Sequence, residues 1–249
     1  MIAKCLGINE KGHLTVSGVD TVELAREFGT PAYILDENTV RENCRTYIDS
    51  MKKYFGEASF PLFASKALSF TEIYRIVASE GMGIDCVSPG EIYTAYKAGY
   101  PMERAYFHGN NKTDADIEMA LDAGVGCFVV DNREELVALD AAAGKRGKIQ
   151  KILLRISPGI DPHTHRKVVT GSVDSKFGTA IETGQAMEMV KASIQLILKF
   201  AVIIVIVLAI VIGAVLGGIE LGLFINLIVN LLIGAAAFVI YPSMLHRGI

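Results

Sequence analysis

Lys66 is the residue whose type and position could do the most chemistry. It ends the apolar run Leu62-Phe63-Ala64-Ser65. A lysine at the carboxyl end of a buried strand is expected to be partly desolvated, so that its amine sheds a proton and forms an imine with a carbonyl cofactor. The plainer alternative is a solvated strand end carrying a surface charge. Polar or small groups end other short apolar runs in the same way: Asp85, His108-Gly109-Asn110, Asp131-Asn132 and Arg155. Asp85 could equally cap the helix that follows it, and Arg155 could equally make a salt bridge within the sheet. His163 and His165 stand two apart in a loop. Without a third ligand they do not define a metal site, and no metal is expected.

The elements that must position these groups follow a rhythm. Short apolar strands are predicted at 61–65, 83–87, 105–108, 127–130 and 152–156. The intervals carry helical spacing at Ile73, Ile76 and Val77; at Ile92, Ala95 and Tyr96; at Ile117, Met119, Ala120 and Leu121; and at Leu136 and Leu139. Strands alternating with helices at this interval are parallel βα units, because parallel strands need a long crossover. Ligand sites in such folds form at the carboxyl ends of the strands. A (β/α)8 barrel and an open doubly wound sheet share that property, and periodicity alone does not choose between them. Upstream, His13-Leu14-Thr15-Val16 alternates like a strand, and a helical pattern runs through Val22, Leu24, Ala25 and Phe28. Thr30-Pro31 stops it, Ala32–Leu35 looks β-like, and Asp36 is placed to cap a helix through Val40, Cys44 and Ile48.

The 249 residues carry 24 Lys plus Arg against 27 Asp plus Glu, a formal charge of −3. That balance gives no basic surface for nucleic acid. Cys5, Cys44, Cys86 and Cys127 are dispersed, which fits reduced thiols in a cytoplasmic domain rather than a zinc site or disulfide scaffold. The first residues lack the apolar core of a secretory signal.

The charges are unevenly spread: after residue 195 only Lys199, Glu220 and Arg247 remain. Two apolar runs, about 197–217 and 221–241, have the length a helix needs to cross a bilayer. They read as a transmembrane hairpin turning at Gly217-Gly218-Ile219-Glu220. Lys191, Lys199, His246 and Arg247 would keep both ends in the cytoplasm. The expected layout is a head over 1–192 and a membrane-inserted tail over 193–249.

Several stretches carry a resemblance to a known family: FASKAL (63–68), GIDCVSPGEIYTAYKAGYP (83–101), AYFHGNNKT (105–113), LDAGVGCFVVDN (121–132), LLRISPGIDPHTHRKVVTG (153–171) and DSKFG (174–178). In this order and spacing the chain resembles the diaminopimelate decarboxylases over roughly residues 5–190. These belong to the alanine-racemase-like, fold type III group of pyridoxal-phosphate enzymes. The resemblance implies a (β/α)8 barrel and the cofactor pyridoxal 5'-phosphate, bonded to Lys66, with Asp85, His108 and Arg155 lining its pocket. It also implies decarboxylation of the amino acid meso-2,6-diaminopimelate to L-lysine and CO2. Pro89 stands where the family usually has glycine, a residue that a positive φ would favour.

The resemblance stops near Met189–Ile194. The family's sixth strand with its histidine, its glycine-rich phosphate loop, the acid beside the pyridine nitrogen and the β domain that builds its homodimer do not follow. Five strands are fewer than the eight of a closed barrel. The expectation is therefore an incomplete barrel of about five βα units, inactive alone. The competing reading is a membrane-anchored, non-catalytic or fused product whose working part is the tail.

Overall fold

The structure, a computed structural model, describes residues 4–160 and 177–197. They fall into two compact units: residues 4–155 with 177–178, and residues 156–160 with 179–197.

The first unit opens with a small antiparallel sheet, β1 (Leu6–Ile8), β2 (Leu14–Val16) and β3 (Val19–Asp20), followed by α1 (Thr21–Phe28). Asp20 organises this corner. Its carboxylate caps α1 through the Val22 N–H at 2.8 Å, and it also meets His13 Nδ1 at 2.9 Å and Asn9 Nδ2 at 2.7 Å. The His13 contact leads in holding the Asp20 carboxyl at about 2. Next comes α2 (Glu37–Phe55), capped by the Asp36 side chain on the Thr39 N–H.

Four βα units and a fifth strand follow in strict alternation. They comprise β4 (Leu62–Ala64), α3 (Thr71–Ser79), β5 (Gly83–Cys86), α4 (Pro89–Lys97), β6 (Ala105–Phe107), α5 (Asp114–Asp122), β7 (Cys127–Val130), α6 (Arg133–Lys145) and β8 (Lys151–Leu154). All neighbouring pairs are parallel and the order is β4-β5-β6-β7-β8. This order decides the architecture. A doubly wound sheet reverses direction at a switch point, whereas right-handed crossovers in unbroken order put every helix on one face, as in a barrel. In agreement, α3 packs on α4, α4 on α5 and α5 on α6.

The register aligns Cys86, Phe107, Phe128 and Ile152 on one face. There Ile84, Cys86, Phe107, Phe128 and Val130 are essentially buried, and the Phe107 and Phe128 rings meet edge-on at 5.7 Å. Burying each large side chain contributes about 1.5–3 kcal/mol by transfer from water. The other face carries Ala64, Asp85 and Tyr106 in register, with Val129 and Leu153 farther along; Ala64 and Leu153 are exposed. In a closed barrel this would be the interior. Helix entry is set by local capping: Ser88 accepts from the Glu91 N–H, Thr113 and Asp116 form a reciprocal box, and Asn132 accepts from the Glu135 N–H. Pro89 falls at the first turn of α4, where a missing N–H costs no helical bond, so it fits without the freedom of glycine.

In the second unit, β9 (Ile156–Ser157) pairs in parallel with β10 (Thr179–Ala180), and residues 185–197 are helical.

Two expectations need correction. Residues 32–36 form no strand. No ladder partner among the described residues reaches them, and the Tyr33, Ile34 and Leu35 side chains are exposed. The transmembrane hairpin is likewise not part of the observed architecture, which is α/β. No helix among the described residues is long and apolar enough to cross a membrane. The runs at 197–217 and 221–241 lie, but for residue 197, outside the described residues.

Helix α2 is stapled to the end of α3 by one acid. Glu80 receives Arg41 at 2.9 Å and Arg45 at 2.7 Å, with only 10% of its side chain exposed. The Arg45 and Arg41 guanidiniums hold its carboxyl at about 2, against an ordinary value of 4.5. A lowered folded-state value means stability that is fully present above about pH 4.5 and lost as pH falls through about 2. Glu80→Gln should therefore be less stable than the wild type near neutrality, and the gap should close on acidification through that window. Urea unfolding at stepped pH measures it; a gap that stays constant down to pH 2 would refute the staple.

Candidate active site

The parallel sheet delivers the residues singled out by sequence to one edge. Lys66 lies in a short 3-10 turn directly after β4, Asp85 near the end of β5, His108 just after β6 and Arg155 just after β8. The ladder continues one step past β6, where the His108 N–H donates to the Cys86 carbonyl at 2.7 Å. It does the same past β8, where the Arg155 N–H donates to the Val130 carbonyl at 2.9 Å. Both side chains thus leave from backbone that the sheet still controls.

The Lys66 turn is anchored from below. Ser65 is buried, with Oγ 3.5 Å from Cys86 Sγ, and the Leu68 N–H closes the turn onto the Ser65 carbonyl at 3.1 Å. Ser69 Oγ meets the buried Tyr74 hydroxyl at 2.9 Å. Burial pushes the Cys86 thiol up to about 12, so it is an inert part of the floor and not a nucleophile. Lys66 itself is exposed, and no ion pair or hydrogen bond among the described residues engages its ammonium. This corrects the expectation of partial desolvation: among the described residues Lys66 is left exposed to solvent.

The remaining groups fall into two pairs of adjacent strand ends. His108 Nδ1 is 3.7 Å from Asp85 Oδ2, each side chain roughly a quarter exposed. Arg155 donates to Asp131 Oδ1 at 3.0 Å, and the other Asp131 oxygen accepts the Gly178 N–H at 3.1 Å. Phe177 stacks on the Arg155 guanidinium at 4.3 Å. Gly178 has φ +68°, and a Cβ there would press on the Arg155 carbonyl at 2.8 Å, so the close approach requires glycine.

Sequence reasoning noted Asp131 only as a strand end and missed its hold on Arg155. It also missed the buried Lys112–Glu135 pair, 2.8 Å apart with side chains 2% and 3% exposed. The signal available was a charged residue at a core-facing helical position, Glu135 beside Leu136. Burial pushes the Glu135 carboxyl up, against the pull of the Lys112 ammonium. His163 and His165 lie outside the described residues.

Comparison with known proteins gives the family. Residues 38–200 match the family described as pyridoxal-dependent decarboxylase, pyridoxal binding domain. The chain belongs to this family. It is 45% identical over 179 residues to the diaminopimelate decarboxylase of Bacillus methanolicus, covering 72% of this chain and 41% of the relative. It is also 45% identical over 187 residues to that of Halalkalibacterium halodurans, covering 75% and 42%. A crystal structure of the diaminopimelate decarboxylase from M. jannaschii in co-complex with L-lysine matches with a TM-score of 0.70 at 34% identity, covering 78% of this chain and 45% of that one. The chain thus spans well under half the length of the relatives it matches. The resemblance read from the motifs and the barrel-type α/β fold both stand.

Pyridoxal phosphate is the cofactor of this decarboxylase family. The donor set at the strand ends suits a phosphorylated aromatic aldehyde: one unengaged primary amine, one imidazole beside a carboxylate and one guanidinium, all along one edge of one sheet.

Removing the Asp131 carboxylate deprives Arg155 and the Gly178 N–H of their common acceptor. Asp131→Ala should cost about 1.5–3 kcal/mol, the range for hydrogen bonds to charged groups. Asp131→Asn, which keeps an acceptor for the amide, should cost less. Urea unfolding of the two variants measures both, and an unchanged midpoint for Asp131→Ala overturns the assignment.

Proposed function

We propose that this chain carries the coenzyme-anchoring part of a diaminopimelate decarboxylase, an enzyme that converts meso-2,6-diaminopimelate to L-lysine and CO2. The observation that carries the reading is the placement of Lys66: an unengaged amine at the end of β4, with the Asp85–His108 and Asp131–Arg155 pairs on the strand ends that follow. The 45% identity to curated diaminopimelate decarboxylases supports the substrate class.

In this reading Lys66 holds the cofactor through its amine, and its turn is kept in place by Ser65 and Ser69. Asp85 orients the His108 imidazole from the neighbouring strand. Asp131 fixes one edge of the Arg155 guanidinium, a planar group whose several N–H donors can serve two acceptors at once. Bound pyridoxal phosphate supplies the electron sink that accepts the electron pair left behind when CO2 departs. Asp85, His108 and Arg155 line the cofactor's side of the sheet and would hold its ring and charged groups.

Borohydride reduction of the purified chain mixed with pyridoxal phosphate, followed by peptide mass spectrometry, tests the assignment. The expected result is a pyridoxyl adduct concentrated on the Lys66 peptide and lost from it in Lys66→Ala. Adding meso-diaminopimelate should change the absorbance of the bound cofactor, whereas ornithine should not. An adduct spread evenly over the exposed lysines would remove Lys66 from its role. Equal responses to the two amino acids would remove the substrate assignment.

A further inference from the structure

Between the two strand-end pairs lies a buried lysine that the reading above does not use. The Lys112 ammonium donates to the Gly109 carbonyl at 2.8 Å, the Val129 carbonyl at 2.9 Å and Glu135 Oε1 at 2.8 Å. An ammonium has three N–H donors, so this group is fully engaged. It also sits over the Phe107 ring at 5.3 Å, and its side chain is 2% exposed.

The partners tie together separate parts of the chain. Gly109 directly follows His108. Val129 lies in β7, two residues before Asp131. Glu135 passes the link on: its second oxygen accepts the Asp131 N–H at 3.2 Å. The Asp131 carboxylate in turn holds Arg155 and the Gly178 N–H. A cation needed only to neutralise Glu135 would require one contact. Two further bonds, to carbonyls beside different strand ends, fix geometry as well as charge.

We propose that Lys112 is a positioning residue for the decarboxylation, setting His108 through the Gly109 carbonyl and Arg155 through Glu135 and the Asp131 backbone. The spacing between the two pairs along the edge of the sheet is then one quantity controlled from one buried ammonium. This rests on the decarboxylase reading for what the pairs hold, but not for the linkage itself.

The test compares the wild-type chain with Lys112→Met and with the double variant Lys112→Met/Glu135→Met. The single change strands a buried carboxylate and should lower the thermal midpoint. The double change replaces the ion pair with apolar groups of similar length and should recover much of it. If Lys112 positions the site, the recovered double variant still binds pyridoxal phosphate more weakly by roughly tenfold to a hundredfold, the range seen when the supports of a site are loosened. Absorbance titration reads that affinity. In the cofactor-free protein, amide exchange should quicken at residues 108–111 and 131–132 and stay unchanged in α3 and α4. Wild-type affinity in the double variant overturns the proposal, and so does exchange that is unchanged or uniformly faster. Loss of the fold in both variants also overturns it, since the pair would then be purely structural. If the wild-type chain takes up no pyridoxal phosphate, the decarboxylase reading fails, and the exchange pattern alone decides the role of Lys112.

Discussion

Parallel strands joined by right-handed crossovers must all present their carboxyl ends along the same edge, and the site depends on that constraint. Lys66, Asp85, His108, Asp131 and Arg155 are spread over 90 residues of chain, yet each stands at or just beyond the end of a strand in one continuous ladder. No loop has to be folded into place to gather them. Strand order does the gathering, and the ladder bonds that continue to His108 and Arg155 keep the backbone at those ends as well defined as the sheet.

Below this edge the two faces of the sheet differ sharply. The helix-covered face is packed with Ile84, Cys86, Phe107, Phe128 and Val130, nearly all fully buried. The opposite face mixes Asp85, Tyr106, Val129 and Leu153 and remains partly open among the described residues. The asymmetry is visible just past β4, in a 3-10 turn where Ser65 is buried against Cys86 while its immediate neighbour Lys66 is exposed. It also separates two kinds of charge. Lys112 and Glu135 are enclosed together, where either one alone would be costly, whereas the Asp85–His108 pair stays within reach of solvent. The enclosed pair is tied into the frame by its hydrogen bonds, and the accessible groups stay in contact with solvent.

The polar network also shows how little of the ionic chemistry lies in surface bridges. Lys11–Glu23, Lys52–Glu57 and Lys145–Glu118 span 3.8–3.9 Å between largely exposed side chains, a geometry worth a fraction of a kcal/mol at most. The contacts with structural weight are those in which a carboxylate gathers several donors at once: Asp20 at the N-terminal corner, Glu80 between α2 and α3, and Asp131 at the sheet edge.

Much of this frame was legible in the amino-acid sequence. Runs such as Gly83–Cys86 and Cys127–Val130 announce strands by composition. The spacing of Ile73, Ile76 and Val77 announces a helix, and Asp36 announces its cap, because each signal is local and acts over a turn or two of chain. The polar residues closing those runs were legible for the same reason. The β-like stretch at Ala32–Leu35 misled, since a strand exists only with a neighbour to pair with and its residues carry no record of whether one is there. The long-range pairings were equally silent. Lys112 meets Glu135 across 23 positions, Asp131 meets Arg155 across 24 and Gly178 across 47. Solvent exposure at Lys66 was also decided in three dimensions, because desolvation depends on what the rest of the chain places around the amine and not on the apolar run that precedes it.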